Sequence, residues 1–143
     1  MTSSSWLPWA ILSAVFAAAT AIFAKVGVSG LNSDLATLIR TAVVICVLVA
    51  LVSATGQWQP LQEISARTWV FLVLSGLGTG ASWLCYFRAL KLGDAARVAP
   101  IDKLSVVFVA VLGATFLGER LSGVNWAGVA LIAAGAVLVA LKG

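Results

Sequence analysis

The sequence predicts an all-α membrane protein of five transmembrane helices in a single domain, residues 1–143. Three observations support this prediction. Of the 143 residues, 62% are hydrophobic and only 10% are charged, whereas a soluble domain is roughly half apolar and about a quarter charged. The apolar residues fall into stretches of about 20, the length that crosses a bilayer core about 30 Å thick as a helix. The links between these stretches are too short to separate domains.

Each predicted helix is an apolar stretch bounded by polar or turn-forming residues. The first ends at Lys25, and because no Lys or Arg precedes it, its charge order is that of a retained helix rather than of a cleaved signal peptide. The second follows a link with two glycines, and the third follows a link that contains Gly56 and Pro60. Short polar links also precede the last two. The predicted spans are residues 6–25, 35–53, 68–90, 98–117 and 124–141.

The basic residues indicate how the chain is oriented. With five helices the termini lie on opposite sides of the membrane, so each loop can be assigned to one side. Lys and Arg are concentrated opposite the N-terminus, and the positive-inside rule makes that side cytoplasmic. We therefore expect an outer N-terminus and a cytoplasmic C-terminus in a bacterial inner membrane. The counted residues are Arg67 and Arg120 on the N-terminal side, against Lys25, Arg88, Lys91, Arg97 and Lys142.

The tryptophans give an independent indication of the same polarity. Indole prefers the headgroup level, where its ring is sheltered and its N–H stays hydrated. Trp83 lies deep in the third predicted helix. The other five map to the N-terminal side and are Trp6, Trp9, Trp58, Trp69 and Trp126.

Three ionisable residues lie inside predicted spans, where a charge is costly and indicates a functional site. Arg40 and Asp102 are at similar depth, roughly 6 to 8 Å from the basic side at 1.5 Å per residue. We expect both to line the same half of a cavity, with an Arg40–Asp102 ion pair as one possible contact. Lys103 lies about 100° further round its helix than Asp102, so the two are not expected to face one neighbour.

Two interpretations of these cations remain open. Arg40 and Lys103 are close enough to helix ends to extend toward the cytoplasmic headgroups. Alternatively, together with Lys25 and Arg88, they surround a positively charged vestibule for an anionic or zwitterionic small molecule, since like charges in a low-dielectric cleft concentrate the opposite sign.

The third helix combines glycines with aromatic residues. Gly76 and Gly80 share a face and favour close helix packing, with a flexible gate as the alternative. Trp83 and Tyr86, three residues apart, present adjacent rings to a substrate or pack in the protein interior. In the fifth helix, Gly128 and Gly135 form a second expected packing stripe.

Pro100 opens the fourth predicted helix. A proline at a helix start costs least, because its missing N–H would have no partner there, so helix initiation is the default interpretation. The alternative is a broken helix around residues 99–103, whose exposed backbone could bind an ion or an anionic group, as in transporters with discontinuous helices.

Several functional classes are disfavoured by what the sequence lacks. It contains no histidine, and its two cysteines, Cys46 and Cys85, lie within apolar runs, so we expect no metal site and no other cofactor. No paired carboxylates, nucleophile with a base or phosphate-binding loop is present, so the protein is not expected to be an enzyme. The net charge of +4 is spread singly at the ends of apolar runs, so we expect no nucleic-acid partner.

The C-terminal half carries an ordered set of residues. They are Tyr86-Phe87-Arg88-Ala89-Leu90, then Gly93, Ala95, Ala99 and Pro100, then Phe116-Leu117-Gly118-Glu119-Arg120-Leu121, then Gly128 and Gly135. In order and spacing this set resembles the EamA repeat of the drug/metabolite transporter superfamily. The resemblance implies a small-molecule transporter, often an exporter of amino acids or other metabolites, with a cavity between two inverted five-helix repeats. It gives Gly118-Glu119 a structural role in the turn before the last helix.

The sequence departs from that family pattern in two ways. Members usually contain two repeats and this chain has one, so we expect a dimer, either of two copies or with another five-helix chain. An inverted homodimer requires both orientations, whereas the charges of this chain favour one. Members also tend to carry a proline midway along the fourth helix, where this chain has Ser105 and Val106, so the resemblance does not support a kink there.

Three functions are compatible with these features. The first is alternating-access transport of a small metabolite, with a pathway lined by Arg40, Trp83, Tyr86, Arg88, Asp102 and Lys103. The second is a flippase, or flippase subunit, for a lipid-linked anion. The third is a membrane protein that does not transport and uses its small-residue stripes only for helix assembly.

Overall fold

The structure is a computed structural model in which residues 6–141 are described. Lys142, which contributes to the predicted charge asymmetry, lies outside them, as do the two chain ends. Within the described residues, five helical segments are long and apolar enough to cross a membrane, as the sequence predicts. The helices are α1 (Leu7–Val28), α2 (Ser33–Ala54), α3 (Ala66–Leu92), α4 (Ala95–Asp102), α5 (Ser105–Phe116) and α6 (Gly123–Ala140), and a 3₁₀ turn covers Leu61–Glu63.

The fourth span is interrupted. It runs from Ala95 to Phe116, but α4 ends at Asp102 and α5 begins at Ser105. At the junction the N–H of Leu104 donates to the carbonyl of Ile101, and the N–H of Val106 donates to the carbonyl of Lys103, both at 3.0 Å. These bonds connect residues three apart and therefore tighten the chain relative to an α-helix.

The structure corrects the prediction that Pro100 initiates the fourth helix. That helix begins at Ala95, so Pro100 is an interior residue. A proline inside a helix removes one backbone donor and crowds the preceding turn, which kinks or breaks the helix nearby. The alternative prediction of a break around residues 99–103 agrees with the structure. The interruption forms although α5 begins with Ser105 and Val106 and not with a proline.

Local side-chain and backbone bonds define both ends of α2. At its start the side-chain oxygen of Asn32 accepts hydrogen bonds from the N–H groups of Asp34 and Leu35, at 2.8 and 3.3 Å, which is typical of an N-cap. At its end Gly56 has a φ of 64°, and the N–H of Gln57 donates to the carbonyl of Val52 at 3.1 Å. This arrangement is a Schellman motif, which favours glycine at the left-handed position.

The chain forms two compact units, which we call the terminal unit (Met1–Phe23 with Leu92–Gly143) and the central unit (Ala24–Lys91). In the terminal unit, α4 and α5 pack against α6. The buried positions of α5 and α6 are Ala110, Gly113 and Ala136, and small side chains of this kind let membrane helices approach closely. The buried positions of the central unit include Val28, Ala36, Phe87 and Leu90.

The end of α5 is fixed by its glycines. The carbonyl of Gly113 accepts from the N–H groups of Leu117 and Glu119, at 3.1 and 3.0 Å, and Gly118 between them has a φ of 69°. A side chain strains such a left-handed conformation. The structural role that the family resemblance implies for Gly118-Glu119 therefore has a physical basis in this turn.

Candidate functional site

The candidate site lies in the central unit, where Arg40 of α2 meets the aromatic residues of α3. The guanidinium carbon of Arg40 lies 3.9 Å from the centroid of the Trp83 ring and 5.6 Å from that of Phe87. Both distances fall within the range of cation–π attraction. We call Arg40, Trp83 and Phe87 the arginine–aromatic cluster. Phe87 is buried, whereas Arg40 and Trp83 are half-buried.

Helical periodicity explains how these residues meet. Trp83 and Phe87 are four apart on α3 and therefore occupy one face of the helix. Arg40 lies seven residues after Ser33, the first residue of α2, which places its Cα about 10 Å along the helix at 1.5 Å per residue. Two residues of the predicted pathway, Arg40 and Trp83, are therefore in direct contact, and their role in a pathway stays a prediction.

Other polar groups on the same face of α2 are satisfied locally. The hydroxyl of Thr37 donates to the carbonyl of Ser33 at 2.9 Å, and that of Thr41 donates to the carbonyl of Thr37 at 2.8 Å. The hydroxyl of Ser33 lies 3.3 Å from a carboxylate oxygen of Asp34. Buried polar groups ordinarily find such partners. The hydroxyl groups on this face of α2 are therefore already hydrogen-bonded within the helix.

A set of charged contacts joins the end of α3 to the start of α2 and the end of α1. The guanidinium of Arg88 donates to both carboxylate oxygens of Asp34, from Nε to Oδ1 at 3.1 Å and from Nη2 to Oδ2 at 2.8 Å. The ammonium groups of Lys25 and Lys91 each donate at 2.7 Å, to the carbonyls of Leu90 and Leu31. We call this set the clasp; its members are Lys25, Leu31, Asp34, Arg88, Leu90 and Lys91.

The clasp changes the interpretation of the predicted positive vestibule. Arg88 is neutralised by a bidentate carboxylate. Lys25 binds a carbonyl in the last turn of α3, where positive charge also favours the helix dipole, and Lys91 binds the carbonyl of Leu31 in the link between α1 and α2. These residues therefore hold the chain together. Sequence reasoning did not foresee the Arg88–Asp34 pair, because 54 residues separate its partners. The sequence does place Asp34 in the first turn of α2, after the N-cap, but this position does not identify Arg88 as its partner.

Of the other predicted pathway residues, Tyr86 lies next to Phe87 on α3, and two lie in the terminal unit. Tyr86 is half-buried on α3, three residues after Trp83. Asp102 and Lys103 belong to the terminal unit, at the interruption between α4 and α5, and their side chains form an ion pair of 3.1 Å. They were expected to point in different directions, but the long lysine side chain reaches back to its neighbour. The predicted Arg40–Asp102 ion pair stays a prediction.

The glycines expected to pack helices face open space within the described chain. A Cβ atom built at Gly76, Gly80, Gly128 or Gly135 meets no described atom within 4 Å. A packing role for these four glycines therefore needs a partner other than the described residues 6–141. At Gly113, by contrast, an added Cβ would lie 2.6 Å from a carboxylate oxygen of Glu119. Sequence reasoning assigned no role to Gly113.

The terminal unit contains an open groove of about 410 Å³ beside the end of α5. Its lining is apolar except for the carboxylate of Glu119. The groove residues are Val109, Leu112, Gly113, Phe116, Leu117 and Glu119. Glu119 follows α5 and is exposed, so its carboxylate lies at the surface of the groove and is not buried in it.

Comparison with known proteins places these features in a family. The profile of the EamA-like transporter family matches residues 4–141. The chain belongs to the EamA-like transporter family. One family profile thus spans nearly the whole chain, and the five membrane-spanning segments make this EamA-like protein an integral membrane protein.

Two relatives are also described as transporters. An uncharacterized transporter in the cobO 3′ region of Sinorhizobium sp. is 69% identical over 139 residues, which cover 97% of this chain and 99% of the relative. The uncharacterized transporter YxxF of Bacillus subtilis (strain 168) is 25% identical over 139 residues, which cover 96% of this chain but only 43% of the relative. No solved structure matches the chain. Family and relatives together support a transporter role.

Proposed function

We propose that this EamA-like protein exports a small metabolite from a bacterial cell by alternating access, working as a dimer of five-helix repeats in the inner membrane. The observation that carries the proposal is the arginine–aromatic cluster. An arginine within a membrane-spanning helix is energetically costly, and such a residue therefore indicates a functional site. The substrate is anionic or zwitterionic, and the pathway includes Arg40, Trp83 and Tyr86, with Asp102 and Lys103 at the interruption of the fourth span.

The dimer is supported by what the single chain leaves uncovered. The four glycines that meet no described neighbour, Gly76, Gly80, Gly128 and Gly135, are suited to close contact with another membrane helix. The Bacillus relative is long enough to hold a second segment of the same length, since the 139 matched residues are 43% of it. Two copies of this chain would supply the same helix number.

The function is tested by flux in proteoliposomes. The purified full-length chain is reconstituted, and counterflow is measured for labelled carboxylates, amino acids and organic cations, with empty liposomes as the baseline. We expect saturable flux of at least one class, reduced about tenfold or more in Arg40→Gln because a charge-assisted contact to the substrate is lost. Arg120→Gln, which changes an exposed arginine outside the site, should transport normally. Absence of saturable flux for every class would contradict the proposal.

Assembly and orientation are tested separately. Replacing both Gly76 and Gly80 by leucine should lower the dimer fraction in detergent, measured by light scattering, whereas Gly27→Leu should leave it unchanged. Reporter fusions at each terminus measure the orientation. We expect an external N-terminus and a cytoplasmic C-terminus, and both termini on both sides would identify a dual-topology homodimer instead.

A further inference from the structure

The cations of the central unit differ in how their charge is balanced. Arg88 is neutralised by Asp34, and Lys25 and Lys91 bind carbonyl oxygens. Arg67 is the second residue of α3, at the edge of a span where water and headgroups solvate it. Arg40 lies inside a span, and among the described residues 6–141 no carboxylate forms an ion pair with it.

The cluster determines which part of Arg40 is available to a ligand. Its guanidinium carbon lies over the Trp83 ring, 3.9 Å from the centroid, and the N–H groups of a guanidinium project along the edges of its plane. A guanidinium edge matches the two oxygens of a planar carboxylate and binds them with parallel hydrogen bonds. The adjacent aromatic residues Trp83, Tyr86 and Phe87 favour a ligand with an apolar body.

The central unit has no free carboxylate near Arg40 that could pair with the ammonium group of a ligand. Its carboxylates are Asp34 and Glu63. Asp34 is occupied on both oxygens by Arg88, and Glu63 lies in the 3₁₀ turn beyond the far end of α2. The pathway carboxylate outside the central unit, Asp102, is paired with Lys103. A zwitterion bound at Arg40 would therefore hold its ammonium group in a low-dielectric setting without a free counter-charge from the central unit, which is unfavourable.

We infer that the arginine–aromatic cluster binds the carboxylate of a net-anionic organic molecule with an apolar or aromatic body, and that it discriminates against zwitterionic amino acids and cations. The inference rests on the proposed transport function and narrows its substrate class. The ligand supplies the negative charge that the central unit lacks beside Arg40.

Binding is measured with benzoate on the full-length protein in phosphatidylcholine nanodiscs, by calorimetry and by the shift in melting temperature. Benzamide has the same shape without the charge, and phenylalanine has the carboxylate with an ammonium group. We expect benzoate to bind about tenfold or more tightly than either. Arg40→Gln should lose this preference, Arg40→Lys should keep part of it, and Arg120→Gln should keep all of it.

Several outcomes would overturn the inference. Equal affinity for benzoate, benzamide and phenylalanine would show that charge is not recognised, a result obtained on the wild type even if a variant fails to fold. Unchanged benzoate affinity in Arg40→Gln would place the site elsewhere. Loss of benzoate binding when phosphatidylglycerol is added to the nanodiscs would assign Arg40 to a lipid phosphate rather than to a soluble carboxylate.

The flux measurement separates this inference from the transport proposal. Arg40-dependent benzoate binding without benzoate flux supports the ligand class and contradicts transport of that ligand. Flux of amino acids or organic cations without Arg40-dependent benzoate binding overturns the ligand class and leaves transport standing.

Discussion

Two arginines of the central unit illustrate two uses of charge in a membrane protein. Arg88 in the clasp donates to both oxygens of a carboxylate from one edge of its guanidinium and ties α3 to α2. Arg40 lies six residues further along α2 than Asp34, about 9 Å deeper at 1.5 Å per residue. Its guanidinium contacts the Trp83 and Phe87 rings, and no carboxylate of the described residues 6–141 forms an ion pair with it. Arg88, whose charge is balanced by a carboxylate, holds the structure together. Arg40, which lies deeper in the span and has no ion-pair partner among the described residues, is suited to bind a ligand.

The tryptophans show the same contrast. Trp6, Trp9 and Trp58 are 64%, 75% and 62% exposed, as expected of anchors at a membrane interface. The indole N–H of Trp58 finds a local acceptor, the hydroxyl of Ser53, at 3.1 Å. Trp83 is half-buried against a cation. A tryptophan in contact with Arg40 therefore has a different role from those at the helix ends.

The largest effect is expected from Trp83→Leu. A cation–π contact is worth about 0.5–2 kcal/mol, so benzoate affinity should fall roughly two- to thirtyfold as Arg40 loses its fixed orientation. Trp58→Leu serves as the matched control, because it removes an exposed tryptophan outside the cluster. Calorimetry of both variants measures the difference, and equal effects would remove the distinction between the two kinds of tryptophan.

The clasp is tested by a charge exchange. Asp34→Asn should lower the melting temperature, because Arg88 loses its bidentate partner, and the exchange of Asp34→Arg with Arg88→Asp should restore part of the loss. The benzoate affinity of the folded protein should change less than in Arg40→Gln. A clasp variant that lost ligand affinity while keeping its melting temperature would place Arg88 in the binding site rather than in the scaffold.

A third substitution separates stability from binding. Gly118→Ala places a side chain at a φ of 69° and should cost about 1–2 kcal/mol of folding free energy. Gly123→Ala adds the same methyl group at a helix start where a Cβ meets nothing within 4 Å, so it should be nearly neutral. Denaturation in detergent compares the two, and benzoate affinity should be unchanged in both.

The smallest effect is expected at the N-cap of α2. Asn32→Ala removes the side-chain oxygen that accepts from Asp34 and Leu35, at a cost of about 1 kcal/mol. Asn32→Ser, which restores an acceptor, should recover most of this loss in the same denaturation measurement. Failure of serine to recover stability would show that Asn32 acts through something other than its cap.

Apolar length alone was sufficient to predict the five spans, because a bilayer imposes a nearly fixed helix length. The ends were less predictable. The fourth span begins at Ala95 rather than at residue 98, because Arg97 interrupts the apolar run that the prediction followed, although the helix continues through it. Its interruption at residues 103–104 was predicted only as an alternative, because proline is compatible with both a helix start and a break.

The site was predictable in part for a similar reason. An arginine within a span and a deep tryptophan both stand out in a sequence, and they prove to be in contact. The difference between Arg40 and Arg88 does not stand out in the sequence, because it depends on whether a carboxylate distant in the chain pairs with the arginine. The Asp34–Arg88 pair joins residues 54 apart, and no local pattern reports such a contact.

The most direct test measures melting temperature and benzoate affinity together in Arg40→Gln and Arg88→Gln. Arg40 contacts ring faces and forms no ion pair within the part of the chain that the structure describes. Its neutral replacement should therefore lower the melting temperature less than Arg88→Gln does, while benzoate affinity falls about tenfold or more. Arg88→Gln should show the opposite pattern. A lower melting temperature in Arg40→Gln with unchanged benzoate affinity would make Arg40 a structural residue and contradict the assignment of the site.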